Sequence, residues 1–145
     1  MIGDAENMGY TGEEWKVINE TRKILGAEHL RVSATCVRVP TPKCHAVCIA
    51  AEFEKTFDID AVKMDIATQQ GVMVVDDLEN GIYPVGNMAD GNDNVYVGRI
   101  RRDLSCENGL LFYCVADNLR RGAASNAVKI AMALINQGKI DSKND

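Results

Sequence analysis

Two apolar segments in the second half of the chain constrain its fold more than any other feature. VYVGRIRR (95–102) and LLFYCVA (110–116) are rich in β-branched and aromatic residues, and the polar link between them contains SCENG (105–109). Such a pair reads as antiparallel strands joined by a turn. The run Leu110–Ala116 is also the longest uninterrupted apolar stretch, at seven residues, whereas a membrane helix needs about 20. The chain is therefore read as a water-exposed fold built around a sheet, with no membrane span.

The remaining segments are read outward from that pair. Thr11 followed by Glu14 is a capping-box pattern, and Val17, Ile18, Thr21, Ile24 and Leu25 recur at helical spacing up to Gly26. A helix is expected over 12–25, with Glu13, Lys16, Glu20 and Lys23 on its polar side. LRVSATCVRV (30–39) alternates and is β-branched, so it reads as a strand ended by Pro40 and Pro42. HAVCIAAEF (45–53) reads as a second strand. Asp58 caps a helix over about 59–70, Gly71 ends it, and VMVVD (72–76) is a short buried strand. A last helix is expected over 119–136, before a polar tail at 139–145. Strands that do not alternate strictly with helices point to an α+β fold, a mixed β-sheet with helices packed on one face.

Length and charge narrow the function. A chain of 145 residues accommodates one domain, placed at 1–138. Sixteen basic against 21 acidic residues leave a net charge of −5, which disfavours an electrostatic grip on nucleic acid as the main activity. Five cysteines, an odd number inside apolar runs, with no charged-then-apolar leader at the start, fit a reducing compartment, the cytoplasm. No Gly-rich phosphate loop follows a strand.

Several constellations carry chemistry alongside plainer readings. Arg38 and His45 flank the corner made by Pro40 and Pro42. A guanidinium binds a carboxylate bidentately and an imidazole titrates near neutrality, a combination suited to an anionic substrate that gains or loses a proton. On spacing alone, a surface arginine and a solvated loop histidine are the simpler explanation. Glu13 and Lys16 are suited to an ammonium and a phosphate, but also form an ordinary i,i+3 pair. Cys36, Cys44, His45 and Cys48 superficially resemble a zinc set. On a strand, however, Cys44 and Cys48 face one way and His45 the other, so metal binding and a Cys44–His45 dyad are both disfavoured and five buried cysteines are expected. Asn118 is a natural N-cap, and Gly122-Ala123-Ala124 allows another group to approach the start of the last helix.

GYTGEEWKVINETRKILG (9–26), VSATCVRVP (32–40), VGRIRRD (97–103), ADNLRRGAASNAVKIA (116–131) and the placement of His45 seven residues after Arg38 resemble the C-terminal portion of aspartate-semialdehyde dehydrogenase. The resemblance runs in register over about 2–137. It implies a domain like the C-terminal domain of glyceraldehyde-3-phosphate dehydrogenase-like enzymes. It also implies an NADP-dependent oxidoreductase that reductively dephosphorylates β-aspartyl phosphate, in the route to lysine, threonine and methionine, and a homodimer.

By the same resemblance His45 is the catalytic acid/base, Arg38 clamps the substrate carboxylate, and Glu13 contacts the substrate amino group. Lys16 binds phosphate, and Asn118 touches the nicotinamide end of the cofactor. The sequence departs from the family in three respects. None of its cysteines lies in the family's Asn-Cys-Thr/Ser nucleophile setting, there is no N-terminal Rossmann domain in the chain, and Ala46-Val47 follows the histidine where the family often has Ser-Glu. The chain is therefore expected to be inactive alone. The alternatives are a stand-alone dimeric binding module without catalysis and, more remotely, a cysteine hydrolase using Cys44 and His45.

Overall fold

The computed structural model describes residues 3–140. The chain divides into two compact units, Met1–Pro40 and Thr41–Asp145.

The first unit is organised by α1 (Gly12–Leu25). Its capping box is complete: the Thr11 hydroxyl accepts the Glu14 N–H at 3.4 Å, and the Glu14 carboxylate accepts the Thr11 N–H at 2.8 Å. The helix ends at Gly26, whose N–H donates to the Lys23 carbonyl while that of Ala27 donates to Arg22. The other oxygen of Glu14 accepts the Cys36 N–H at 2.8 Å, so one buried carboxylate caps the helix and anchors the following segment.

That segment corrects one expectation. Among the described residues, 30–39 belongs to no strand. Its alternation is real: Val32, Ala34 and Cys36 are half-buried, while Arg31, Ser33, Thr35 and Val37 are exposed. β-Branching and alternation describe a chain that fits a pleated, half-buried surface, but a strand also needs a ladder partner. Here a side chain, Glu14, takes the place of a ladder acceptor at Cys36.

The second unit is a four-stranded sheet in the order β1 (Cys44–Glu52), β4 (Gly109–Asp117), β3 (Val95–Arg102) and β2 (Val72–Val74). β1 and β3 both run antiparallel to β4, and β2 runs parallel to β3, which makes the sheet mixed and the fold α+β. The sequence's hairpin is the centre of this sheet. α2 (Ile59–Ala67) is capped by Asp58, whose carboxylate accepts the Ala61 N–H at 2.9 Å. The last helix divides into a π-helical turn (Arg120–Ala124) and α3 (Ser125–Asn136), so the expected 119–136 is one continuous path but not one regular helix. Part of the expected polar tail, 141–145, lies outside the described residues.

Period-two alternation builds two cores. On one face Val97, Ile100 and Leu110 are buried, with Phe57, Ile59, Val62 and Ile66 from in and just before α2 packed over them together with Phe112 and Cys114. On the other, Cys44, Val115 and Ala89 form a smaller buried cluster flanked by Tyr96 and Tyr113.

The parallel pairing of β2 with β3 has a topological consequence. After β2 the chain must travel back the length of the sheet before β3 can begin. Residues 75–94 make that return and deliver Ala89 and its neighbours to the end of the sheet where β1 starts and β4 finishes.

Candidate functional site

His45 is the second residue of β1 and pairs with Ala116, the penultimate residue of β4. It is exposed. Asn118 follows β4 directly and donates its backbone N–H to the Lys43 carbonyl at 3.0 Å. The histidine and the asparagine, 73 residues apart in sequence, thus lie at the same end of the sheet, with the Cys44–Asp117 rung between the positions they occupy.

Between them in the ladder lies a carboxylate that the sequence does not single out. Asp117 is 1% exposed and accepts three backbone N–H groups: Gly91 at 2.9 Å on one oxygen, Leu119 at 2.8 Å and Arg120 at 3.3 Å on the other. The hydrogen bond from Gly91, followed by those from Leu119 and Arg120 and the nearby Lys43 charge, holds its carboxyl below the usual value of 3.8 against the opposing effect of burial. Asp117, not Asn118, is therefore the side chain that takes up the N–H groups leading into the last helical segment, a correction of the sequence reading. Both residues suit an N-cap by type. The paired strand end decides between them, because Asp117 points inward beside buried Cys44.

The small residues after Asn118 also find an explanation. A Cβ on Gly122 would stand 2.9 Å from the Asn118 side-chain oxygen. The close approach foreseen at this helix start is made by the asparagine itself. Around this centre Lys43 pairs with Asp90 at 2.9 Å, Arg120 with Asp93 at 3.5 Å, and Ser125 donates to Asp93 at 2.9 Å.

The other expected site residues belong to the first unit. Glu13 and Lys16 lie in the first turns of α1 and pair with each other at 3.4 Å, both largely exposed. Arg38 is exposed, two residues before Pro40.

All five cysteines were expected to be buried, and the structure corrects this for four of them: only Cys44 is buried, Cys36, Cys106 and Cys114 are half-buried, and Cys48 is exposed. Burial pushes the Cys36 and Cys44 thiols up, and Cys114 to about 11. A raised thiol is a poor source of thiolate. Cys44 lies in the cluster with Ala89 and Val115, while its neighbour His45 takes the alternate face of the strand, so the two do not form a dyad.

A family model described as semialdehyde dehydrogenase, dimerisation domain, matches residues 1–121. An aspartate-semialdehyde dehydrogenase of Aquifex aeolicus is 47% identical over 132 residues, which cover 91% of this chain and 39% of that protein. One from Synechocystis is 44% identical over 129 residues, covering 89% of this chain and 38% of the relative. Among solved structures, an aspartate semialdehyde dehydrogenase II from Vibrio cholerae superposes with a TM-score of 0.86 at 36% identity, over 94% of this chain and 40% of that one. A probable aspartate-semialdehyde dehydrogenase from Pseudomonas aeruginosa gives 0.83 at 27% identity, over 95% of this chain and 41% of that one. The chain spans about two fifths of the length of these relatives. It belongs to the aspartate-semialdehyde dehydrogenase family and corresponds to that family's C-terminal dimerisation domain.

Proposed function

We propose that this chain supplies the acid/base and anion-binding half of an NADP-dependent aspartate-semialdehyde dehydrogenase, a cytoplasmic homodimer that reductively dephosphorylates β-aspartyl phosphate in lysine, threonine and methionine biosynthesis. Residues 1–138 then serve as one catalytic and dimerisation domain. The observation that carries this reading is the convergence of His45 and Asn118 at one sheet end, in a chain whose family match covers both.

Each role follows from the chemistry of its residue. The His45 imidazole has the chemistry of a general acid and base, able to deliver a proton to, and take one from, the reacting carbonyl. The planar guanidinium of Arg38 suits the α-carboxylate of the substrate. The Glu13 carboxylate suits its ammonium group, and the Lys16 ammonium a phosphate.

The fit of this chain to NADP is confined to one end of the cofactor. The Asn118 amide, its backbone pinned to Lys43 and its oxygen close over Gly122, offers a donor and an acceptor to a carboxamide. A Gly-rich loop for the dinucleotide phosphates is not in this sequence, so the rest of the grip belongs to a Rossmann domain. NADPH supplies the hydride when bound; this chain's part is to orient the ring and handle the proton.

Covalent reduction also needs a thiolate beside the histidine, and none of the five cysteines provides it. The chain alone is therefore inactive. The test is to mix it with a separately produced Rossmann-and-cysteine portion of a relative, supply NADPH and substrate, and follow NADPH oxidation. Turnover in the mixture and none in either part supports the reading. Turnover by the isolated chain that is abolished by Cys44→Ser overturns it. A mixture that associates without turnover favours a binding module. Sedimentation at rising concentration should show a dimer; a monomer throughout counts against the assembly.

A further inference from the structure

We propose that Asp117 is the positioning residue of this site: its carboxylate sets Asn118 and the first residues of β1, and through them His45, in a single fixed arrangement. The proposal rests on the roles given above to His45 and Asn118, but its structural content is independent of them.

Three observations support it. First, the carboxylate is 1% exposed, and the nearby Lys43 ammonium is taken by Asp90. Its partners are peptide N–H groups, and they come from two separate stretches of chain, Gly91 on the return segment and Leu119–Arg120 beyond β4. A buried charge left short of such partners is costly, so the three donors and the carboxylate hold one another.

Second, both oxygens are in use, Oδ2 by Gly91 and Oδ1 by Leu119 and Arg120. An asparagine of the same shape has one acceptor oxygen, and its NH2 would face whichever donors were left over. The arrangement depends on charge as well as shape. Gly91 presents its N–H from a left-handed backbone at φ +73°, a conformation that a side chain disfavours.

Third, the load passes directly to the site residues. Asn118 lies between Asp117 and Leu119 and bonds Lys43, two residues before His45, while Asp117 itself pairs with Cys44, the residue next to His45. Releasing the carboxylate from either set of donors frees the peptide that carries Asn118 and the strand start that carries His45.

The experiment uses the isotopically labelled 145-residue chain, wild type, Asp117→Asn and Gly91→Ala, with amide hydrogen exchange and histidine side-chain NMR, and then the mixed enzyme assay. In Asp117→Asn, exchange at Gly91, Asn118, Leu119 and Arg120 should accelerate tenfold or more, and the His45 signals should move. The β3–β4 amides at 97 and 113–114 should stay within about threefold. Gly91→Ala should give the same pattern more weakly. In the mixed assay, kcat should fall at least tenfold with KM within about threefold.

Uniform acceleration over the whole sheet, or unmoved Asn118 and His45 signals, overturns the proposal. If Asp117→Asn does not fold, Gly91→Ala and an acid titration of the wild type decide the matter. The Gly91, Leu119 and Arg120 amides must then shift with one common midpoint, and unrelated midpoints overturn it. If the wild-type mixture shows no turnover while the NMR pattern holds, the functional reading fails and the structural one stands.

Discussion

The carboxylate of Asp76 accepts the backbone N–H of Arg99 at 2.7 Å and that of Ile100 at 3.3 Å, and pairs with Lys63 at 2.9 Å. It thereby holds a bulge in β3, where the register slips between Gly98 and Arg101 and Arg99 takes a positive φ of 57°. A non-glycine residue in that region is strained by about 1–3 kcal/mol and persists only when its surroundings enforce it. Here the enforcing group is identifiable.

Asp76→Ala should therefore destabilise the second unit by about 2–4 kcal/mol, since it strips two backbone donors of their acceptor and leaves Lys63 unpaired. Urea unfolding is the measurement, with a lower midpoint and an unchanged slope expected. A midpoint within error of the wild type would mean that the bulge stands without its latch.

Removing the hydroxyl that starts α1 should have a smaller effect. Thr11→Ala should cost about 1 kcal/mol, within the usual 0.5–2 for a lost N-cap. It should also weaken the protection of Cys36, because the same Glu14 carboxylate serves both ends. Thermal melting gives the first quantity and amide exchange the second.

Acid should destabilise the chain through its hydrogen-bonded carboxylates. Glu14 is lowered from 4.5, mainly by the Thr11 and Cys36 backbone donors, and Asp117 from 3.8, first by Gly91. A folded-state value below the unfolded one contributes stability that is fully present above the unfolded value and is lost as pH falls through the folded one. The melting temperature should thus change little between pH 5 and neutrality on account of these groups, and should drop once pH passes below the ordinary carboxylate values. In Asp117→Asn the drop should be shallower. An equally steep drop in that variant would show that Asp117 is not among its causes.

Thiol chemistry offers a check that needs no assay of activity. Cys48 is exposed on β1, whereas Cys114, pushed up to about 11 by burial, yields almost no thiolate at neutral pH. Iodoacetamide at mildly alkaline pH should modify Cys48 first and Cys114 last, as read by peptide mass spectrometry. Early loss of Cys44 instead would revive a nucleophilic role for that residue.

In the mixed enzyme the site variants should separate by kinetic parameter. His45→Ala should reduce kcat by about 10²–10⁴-fold, the usual value of a positioned acid or base. Arg38→Leu should lower kcat/KM by roughly 10- to 100-fold, the equivalent of a charge-assisted hydrogen bond. Glu13→Ala should raise KM with kcat nearly unchanged, as for a contact made equally before and during reaction. A Glu13→Ala effect confined to kcat would remove it from ammonium binding.

Local signals in the sequence were legible because local physics decides them. Thr11 with Glu14, Gly26 after Leu25, and Asp58 before Ile59 each define a helix end within a few residues, and each holds in the structure. The β3–β4 hairpin was equally plain. Long-range partnership was not. The alternation of 30–39 is present but its ladder is not, because nothing in a strand's own residues names its neighbour. Asp117 and Asn118 are interchangeable as caps by type, and only the pairing of Asp117 with Cys44 and the return of Gly91 to that end distinguish them. Of the five expected site residues, all suggested by strings of sequence, the geometry pairs Glu13 with Lys16 and sets His45 and Asn118 at the same sheet end.

The parallel β2–β3 pairing also bears on the order in which the molecule acquires its shape. β3 and β4 are joined by a short turn and close quickly, since little chain entropy is lost in bringing them together. The sheet end bearing His45 waits for two slower events: the capture of β1 by a strand far along the chain, and the docking of the return segment that carries Gly91. The sheet end bearing His45 should thus be the last to be assembled, and its amides the ones from which unfolding should begin.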